Sequence, residues 1–307
     1  MSSFWKVPRS NVRLDRQWVR RSRAGLPFVL EEVNRRMVAR AQIMRPIEGG
    51  VVHQGWLHPD TLNPLRGLFP GRVFEVFAPR SIALPGLAND PAATHFLHKL
   101  LPFGKAGRQN TVPHAHALAT GESLPLPDQS TGMVWSPLWL HAVEDPALML
   151  ADWLRVLKPD GAVFFCCFGP DTAQELRPFA QALGVTMPDF ADMHDLGDLM
   201  SKAGFSDPVM EMEKLTLTYT SPQALLADWH ALVGNSLAPT CAGLIGKTRY
   251  TQAIVQLEAL RQNATGRIPL TLELVYGHAW KVQRLAKPGV ATVKVSEIGG
   301  RGGPKPL

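Results

Sequence analysis

Apolar residues recur at helical spacing early in the chain, at Phe28, Val29, Val33, Met37, Ala41 and Met44, with Glu31/Arg35 and Glu32/Arg36 spaced four apart. The spacing predicts a helix over 28–44 that covers one edge of the fold. An apolar run at 50–55, a polar segment of helical length at 60–68 and a second apolar run at 72–77 read as strand, helix, strand. Pro79, Pro85, Pro91, Pro102 and Pro113 punctuate the next stretch of chain, so 84–112 is expected to be irregular apart from a helix-like stretch at 91–101. Residues 116–130 read as a strand and then a turn-rich loop, and Met133, Val134 and Trp135 as a short strand.

Asp145 and Pro146 precede ALMLADWLRVL, which reads as a helix with an aspartate N-cap and proline at its first position. Lys158, Pro159, Asp160 and Gly161 predict a turn. The uninterrupted apolar run AVFFCCF at 162–168 predicts a strand buried on both faces, as in the middle of a parallel sheet. Helices come next at 171–183 and 193–203, then an alternating strand at 209–219, helices near 222–233 and 247–262, and a last strand at 270–280. This alternation predicts an α/β sandwich, with a mostly parallel sheet, helices on both faces and a C-terminal elaboration of helices and strands. The expected organisation is a basic arm at 1–25, one domain at 26–285 and a Gly/Pro-rich tail at 286–307.

Composition changes this picture only in places. The 307 residues are 45% hydrophobic and 19% charged, ordinary for a globular protein able to bury a sizeable core. The formal charge of +6 is localised: Lys6, Arg9, Arg13, Arg16, Arg20, Arg21 and Arg23 stand against Asp15, which leaves the remainder neutral. Such an arm suits an acidic partner, acidic lipid or a solvated helix face; without an aromatic-interleaved basic patch, nucleic acid is not the expected partner. Three cysteines (Cys166, Cys167, Cys241) make no disulfide framework and suggest a reducing compartment. No secretory signal pattern and no apolar run near the ~20 residues of a membrane helix is visible, so the expected location is the cytoplasm.

The stretch 50–81 has the layout of a nucleotide-binding βαβ start. Its first turn should be glycine-rich and its second strand should end on an acid for the ribose. The turn instead carries His53, Leu57 and Pro59, and the second run ends on Phe77.

Several later stretches resemble one family. GPDTAQELRPF (169–179), DMHDLGDLMSKAGFSDPVMEMEKLTLTY (192–219) and IPLTLELVYGHAWK (268–281) resemble the S-adenosylmethionine-dependent methyltransferases of biotin synthesis, which methylate the free carboxyl of malonyl-acyl-carrier protein. The segment PLPDQSTGMVWSPLWLHAVEDPALMLADWLRVLKPDGAVFF is similar to the general class I methyltransferase pattern, and AKPGVATVKVSEIGG resembles the methyltransferase-like assembly factors of respiratory complex I. The resemblance covers about 28–281 and implies the class I (Rossmann-like) fold, with S-adenosylmethionine as cofactor and acyl-carrier protein or a respiratory assembly intermediate as partner.

Carried over residue by residue, it also implies a degenerate cofactor site. The family's first loop is Asp-x-Gly-x-Gly-x-Gly; His53 replaces the acid, Gly55 survives, and Leu57 and Pro59 replace the other glycines. Phe77 stands where the ribose acid belongs, with Glu75 two residues earlier as a possible substitute. The adenine-contacting Asp-Ala becomes Thr120-Gly121 ahead of Glu122, and Ser136-Pro137 replaces Ser-Asn after the fourth strand. Hydrogen bonds to charged groups contribute about 1.5–3 kcal/mol each, so losing two acids weakens binding by several orders of magnitude.

Other candidates weigh towards structure. Asp192, His194 and Asp195 read as a helix cap more than a metal cluster, with Gly204 as the helix stop. His53 with His58, or His114 with His116, lacks a closed ligand set, so no metal is expected. Cys166 and Cys167 read as core. His141, in the loop after the fourth strand, is open between a substrate contact and a packing residue, as is the Tyr276, His278, Trp280 face of the last strand. Phe96, Leu97 and Phe103 are suited to plug an empty cleft. Two functions are left in view: a pseudoenzyme that binds or assembles, or an active O-methyltransferase with a remodelled pocket.

Overall fold

A computed structural model of the chain describes residues 27–43, 47–55, 64–65, 67–69, 74–79, 114–118, 123–143, 145–233, 238–239 and 246–282. Its strands are β1 (Val51–Gln54), β2 (Phe74–Pro79), β3 (His114–Leu118), β4 (Thr131–Pro137), β5 (Leu157–Phe168), β6 (Val185–Thr186), β7 (Ser206–Tyr219), β8 (Ala238–Pro239) and β9 (Ile268–Trp280). Its helices are α1 (Pro27–Ala41), α2 (Pro146–Val156), α3 (Arg177–Leu183), α4 (Met193–Ala203), α5 (Pro222–Val233) and α6 (Lys247–Glu258). Seven of the strands form one sheet in the order β3-β2-β1-β4-β5-β9-β7, and β6 and β8 form a separate pair.

β1 to β5 pair in parallel, whereas β9 lies antiparallel between β5 and β7. Chain order therefore runs outwards in both directions from the β1–β4 junction, and that reversal creates the crevice in which α/β sheets bind ligands. The sheet is expected from the sequence; the antiparallel insertion of β9 completes it.

Period-two alternation sorts the sheet's side chains into two cores. Val51, Met133, Trp135, Phe164, Cys166 and Tyr276 face one core, against Val29, Val33 and Met37 of α1. Val52, Val134, Val163, Phe165 and Val275 face the other, against Met149, Leu150 and Trp153 of α2. α1 is pinned at the sheet edge: Arg36 pairs with Glu213, and Arg40 bonds Glu211 at 2.8 Å while its guanidinium lies 4.1 Å over the Tyr276 ring. Asp145 caps α2, accepting from the Ala147 and Leu148 amides. Asp192 caps α4 through the His194 amide, and Gly204 ends it at φ 104°.

Gly132 sits where two segments of chain come very close. A Cβ there would stand 2.0 Å from the Glu48 carbonyl oxygen, so the approach into β1 leaves room only for glycine.

Boundaries differ from expectation where local and tertiary demands compete. The second strand continues past Phe77 to Pro79 because Ala78 and Pro79 still pair with β3. The 158–161 turn is an interruption inside β5: Asp160 adopts φ 61°, and pairing with β4 resumes at Ala162. The helix expected at 171–183 is a turn, then a 3-10 segment Gln174–Leu176, then α3, because Ala173 sits at φ 53° with its amide donating to Thr271. Helical backbone occupies 64–65 and 67–68 within the expected 60–68 helix. The arm 1–25, the 84–112 stretch with Phe96, Leu97 and Phe103, and the tail 286–307 lie outside the described residues. Among the described residues, no helix is long and apolar enough to cross a membrane.

Candidate functional site at the β1–β4 crevice

β1 delivers His53, Gln54 and Gly55 to the crevice, and β4 delivers Ser136 and Pro137. His53 pairs in register with Trp135, so both point into the α1-side core. Burial there is complete: His53 has no exposed surface, and among the described residues neither ring nitrogen has a hydrogen-bond partner. Desolvation pushes its pKa from 6.5 down to about 4, and a contact with its own backbone offsets little of that. The His53 side chain is thus a neutral imidazole. Gln54 faces the opposite core, where the Trp153 indole N–H donates to its Oε1.

Gly55 adopts φ 133°, a conformation that favours glycine. The space a Cβ would need is filled: it would lie 2.9 Å from the Trp139 Cβ and 3.0 Å from the Pro137 carbonyl oxygen. The chain leaving β4 therefore folds back over the end of β1. Trp139 is 6% exposed within that fold-back.

His141 follows in a 3-10 turn, Leu140–Ala142. Its Nδ1 accepts from the Phe168 amide at 3.4 Å, and its ring packs 4.4 Å from Phe168 and 5.8 Å from Phe190. Burial pushes its pKa down to about 3, so the ring is neutral. An amide can only donate, so Nδ1 carries the lone pair and Nε2 carries the proton. Among the described residues, that Nε2 is buried and without a partner, as is the Ser136 hydroxyl.

A polar clasp fixes the loop before β4. Asp152 Oδ2 accepts from the Leu124 amide at 2.6 Å; Arg155 donates to the Leu126 and Leu124 carbonyl oxygens at 2.6 and 2.9 Å and pairs with Asp128. Of the positions expected from sequence, Ser136 and Pro137 end β4 and His141 follows in the turn after it. Glu75 and Phe77 are placed by backbone only: Glu75 is level with Val52, and Phe77 with Gln54. Leu57, Pro59, Thr120 and Glu122 lie outside the described residues.

Other expectations separate from the site. Cys166 and Cys167 are buried free thiols whose pKa values burial raises. Of the last-strand aromatics, Tyr276 is buried beneath Arg40, while His278 is half-buried and stacks on Phe164 at 5.2 Å. Sequence reasoning missed Trp139, Gln54 and Phe190. Trp139 had one signal, its place just past the end of a buried strand; Phe190 had none.

S-adenosylmethionine carries a sulfonium and an ammonium, and the described side chains at the ends of β1 and β4 (His53, Gln54, Ser136) offer no negative charge. The described side chains there thus supply it no counter-charge, while Leu57, Pro59 and Glu122 lie outside the described residues.

Comparison with known proteins places the fold. A family described as "Methyltransferase domain" matches residues 94–165. Malonyl-[acyl-carrier protein] O-methyltransferase of Laribacter hongkongensis is 41% identical over 186 residues, 60% of this chain and 62% of that protein. The protein of that name from Methylovorus is 34% identical over 212 residues, 67% of this chain and 68% of that protein. The match to the Laribacter protein thus spans about three fifths of that relative's length. The crystal structure of the YcgJ protein of Bacillus subtilis superposes with a TM-score of 0.50 at 15% identity, covering 82% of this chain and 99% of that one, a likeness of fold. With its 3-2-1-4-5 strand order closed by an antiparallel β9, this chain belongs to the class I S-adenosylmethionine-dependent methyltransferase family, close to the malonyl-[acyl-carrier protein] O-methyltransferases.

Proposed function

We propose that the chain is a binding or assembly protein on this methyltransferase fold, which engages an acyl carrier protein and has lost the family's use of S-adenosylmethionine. His53 carries the reading. Where relatives place an acid, it supplies a buried neutral ring without a partner. Gly55, packed against Trp139, supports the same conclusion. The relatives' name supplies the partner's class, a malonyl carrier protein. The seven cationic residues of 1–24 suit an acidic surface, and the buried free thiols of Cys166 and Cys167 suit the cytoplasm. If the related respiratory branch is the better guide, the partner is an assembly intermediate.

The second reading is an active malonyl-carrier-protein O-methyltransferase with a remodelled pocket. The Asp152–Arg155 clasp on the loop before β4 favours it, because that loop is held as a binding loop needs to be.

Calorimetric titration of the full chain with S-adenosylmethionine separates the two. We expect no saturable binding up to millimolar cofactor, whereas a micromolar Kd overturns the pseudoenzyme reading in favour of the second. Capture on immobilised malonyl carrier protein is expected to weaken as salt rises, and to weaken further when Arg16, Arg20, Arg21 and Arg23 are changed to Gln. Absence of capture overturns the carrier-protein assignment.

A further inference from the structure

Beyond the basic arm the formal charge is neutral in total, yet α3, α6 and the turn from α6 to β9 are one-sided. Arg177, Lys247, Arg249, Arg261 and Arg267 stand there against one carboxylate, Glu258, which already pairs with Arg261. Glu175, just before α3, is committed to Thr271, accepting from its amide and hydroxyl. Residues 234–245, which precede α6, contain no Asp or Glu. The two helices form one surface: α3 packs along α6, and the Arg249 Nε donates to the Ala182 carbonyl oxygen at 2.8 Å. Apolar side chains stand out from it, with Val255 58% and Tyr250 44% exposed. Lys247, Thr251, Val255 and Ala259 follow at four-residue spacing, an exposed ridge with a cation at its head and no acid. We infer that the α3–α6 face is a docking surface for an acidic amphipathic helix of a partner protein, the carrier protein of the reading above. This rests on that reading and deepens it by naming the surface.

The partner's chemistry follows from what the face offers. Cations at both ends of α6 attract carboxylates and repel a basic protein. The exposed Val255 and Tyr250 between them gain only from apolar side chains, which a small anion or a phosphate backbone does not bring. A helix with acids flanking an apolar stripe supplies both at once. A lipid surface would meet the cations, but insertion needs a broad apolar face, and α6 exposes two large apolar side chains. Position in the fold agrees. β9 runs antiparallel to β5, so its first residue, Ile268, and α6 before it lie at the end of the sheet where β5 finishes. That is the end at which such sheets take ligands, so a group carried by the docked partner starts on the crevice side.

The test measures capture of the full chain on immobilised malonyl carrier protein. Lys247→Glu, Arg267→Glu and Val255→Asp are each expected to weaken capture about tenfold. All three side chains are exposed, so melting temperatures should stay near wild type. Lys202→Glu makes the same charge change on the exposed side of α4 and is expected to stay within about twofold of wild type. Capture of the three variants at wild-type strength overturns this surface and leaves the carrier-protein reading standing. Equal weakening by Lys202→Glu overturns it too, because overall charge then accounts for the effect. Failure of the wild type to be captured overturns the carrier-protein reading, and the partner assigned to this face with it. Tighter association with phosphatidylglycerol vesicles than with carrier protein, lost in the same three variants, overturns the inference by making the face a lipid contact.

Discussion

Gly55 and Trp139 meet so closely that a Cβ on the glycine would stand 2.9 Å from the tryptophan Cβ, and the glycine's φ of 133° excludes most other residues on its own. Gly55→Ala is expected to destabilise by about 2–4 kcal/mol, the sum of backbone strain and displacement of the post-β4 chain. Trp139→Ala in the same background should recover part of the loss, because the two share one space. Chemical denaturation of the single and double variants checks this; purely additive losses would show that the contact does not matter.

The two buried histidines set an acid limit on stability. Both have folded pKa values depressed from 6.5, His53 to about 4 and His141 to about 3. The unfolded chain therefore binds protons first. Their contribution is intact above about pH 6.5, and is lost as pH falls through about 4 and about 3. At about 1.4 kcal/mol per unit, the pair amounts to several kcal/mol. Among the described residues, the rings packed against His141 are those of Phe168 and Phe190. Denaturation midpoints of wild type and a His53→Leu, His141→Asn double variant, compared from pH 7 to pH 4, should converge as pH falls. A constant difference would mean that the rings ionise freely.

Arg155 closes the loop before β4 with two carbonyl contacts and two carboxylate partners. Arg155→Met keeps the aliphatic stem and removes the fork, and is expected to cost about 1–3 kcal/mol. Amide exchange should accelerate at 124–130 and remain slow in β5. Uniform acceleration across the sheet would argue against a local clasp.

Lys281 Nζ donates to the Leu154 and Leu157 carbonyl oxygens, both at 2.7 Å, at the C-terminal end of α2. Those carbonyls have no partner within the helix, and the cation also opposes the negative end of its dipole. Lys281→Met is expected to cost about 1–2 kcal/mol and to leave Asp145 capping untouched. A thermal melt of this variant and of Asp145→Ala, with about 1 kcal/mol expected for the latter, tests whether the two ends act independently.

Much of the fold was legible because its signals are local. The Asp145-Pro146 pair, the AVFFCCF run and the Asp192/Gly204 brackets each specify an element by its own chemistry, and each stands where expected. The misreadings fall where a distant partner decides. Nothing near Ala173 announces that its amide serves Thr271, and nothing near Pro79 announces the β3 ladder. The site divides the same way. His53 and Gly55 could be compared with the family's first loop one residue at a time. Trp139 closing over Gly55, and the tautomer of His141, depend on contacts across the sheet that no spacing encodes.

The strand that joins β7 to the rest of the sheet is the last of the described strands in chain order, β9 at 268–280, between β5 and β7. On the ribosome, β5 and β7 are thus made long before the segment that bridges them, and each waits with an open edge. β5 waits with a fully buried apolar run, AVFFCCF, and such an edge invites pairing with other chains. Synthesis that stops short of 268 should therefore yield aggregates and not a smaller folded protein, and a chaperone that shields nascent strands should act on this chain between the emergence of β5 and that of β9.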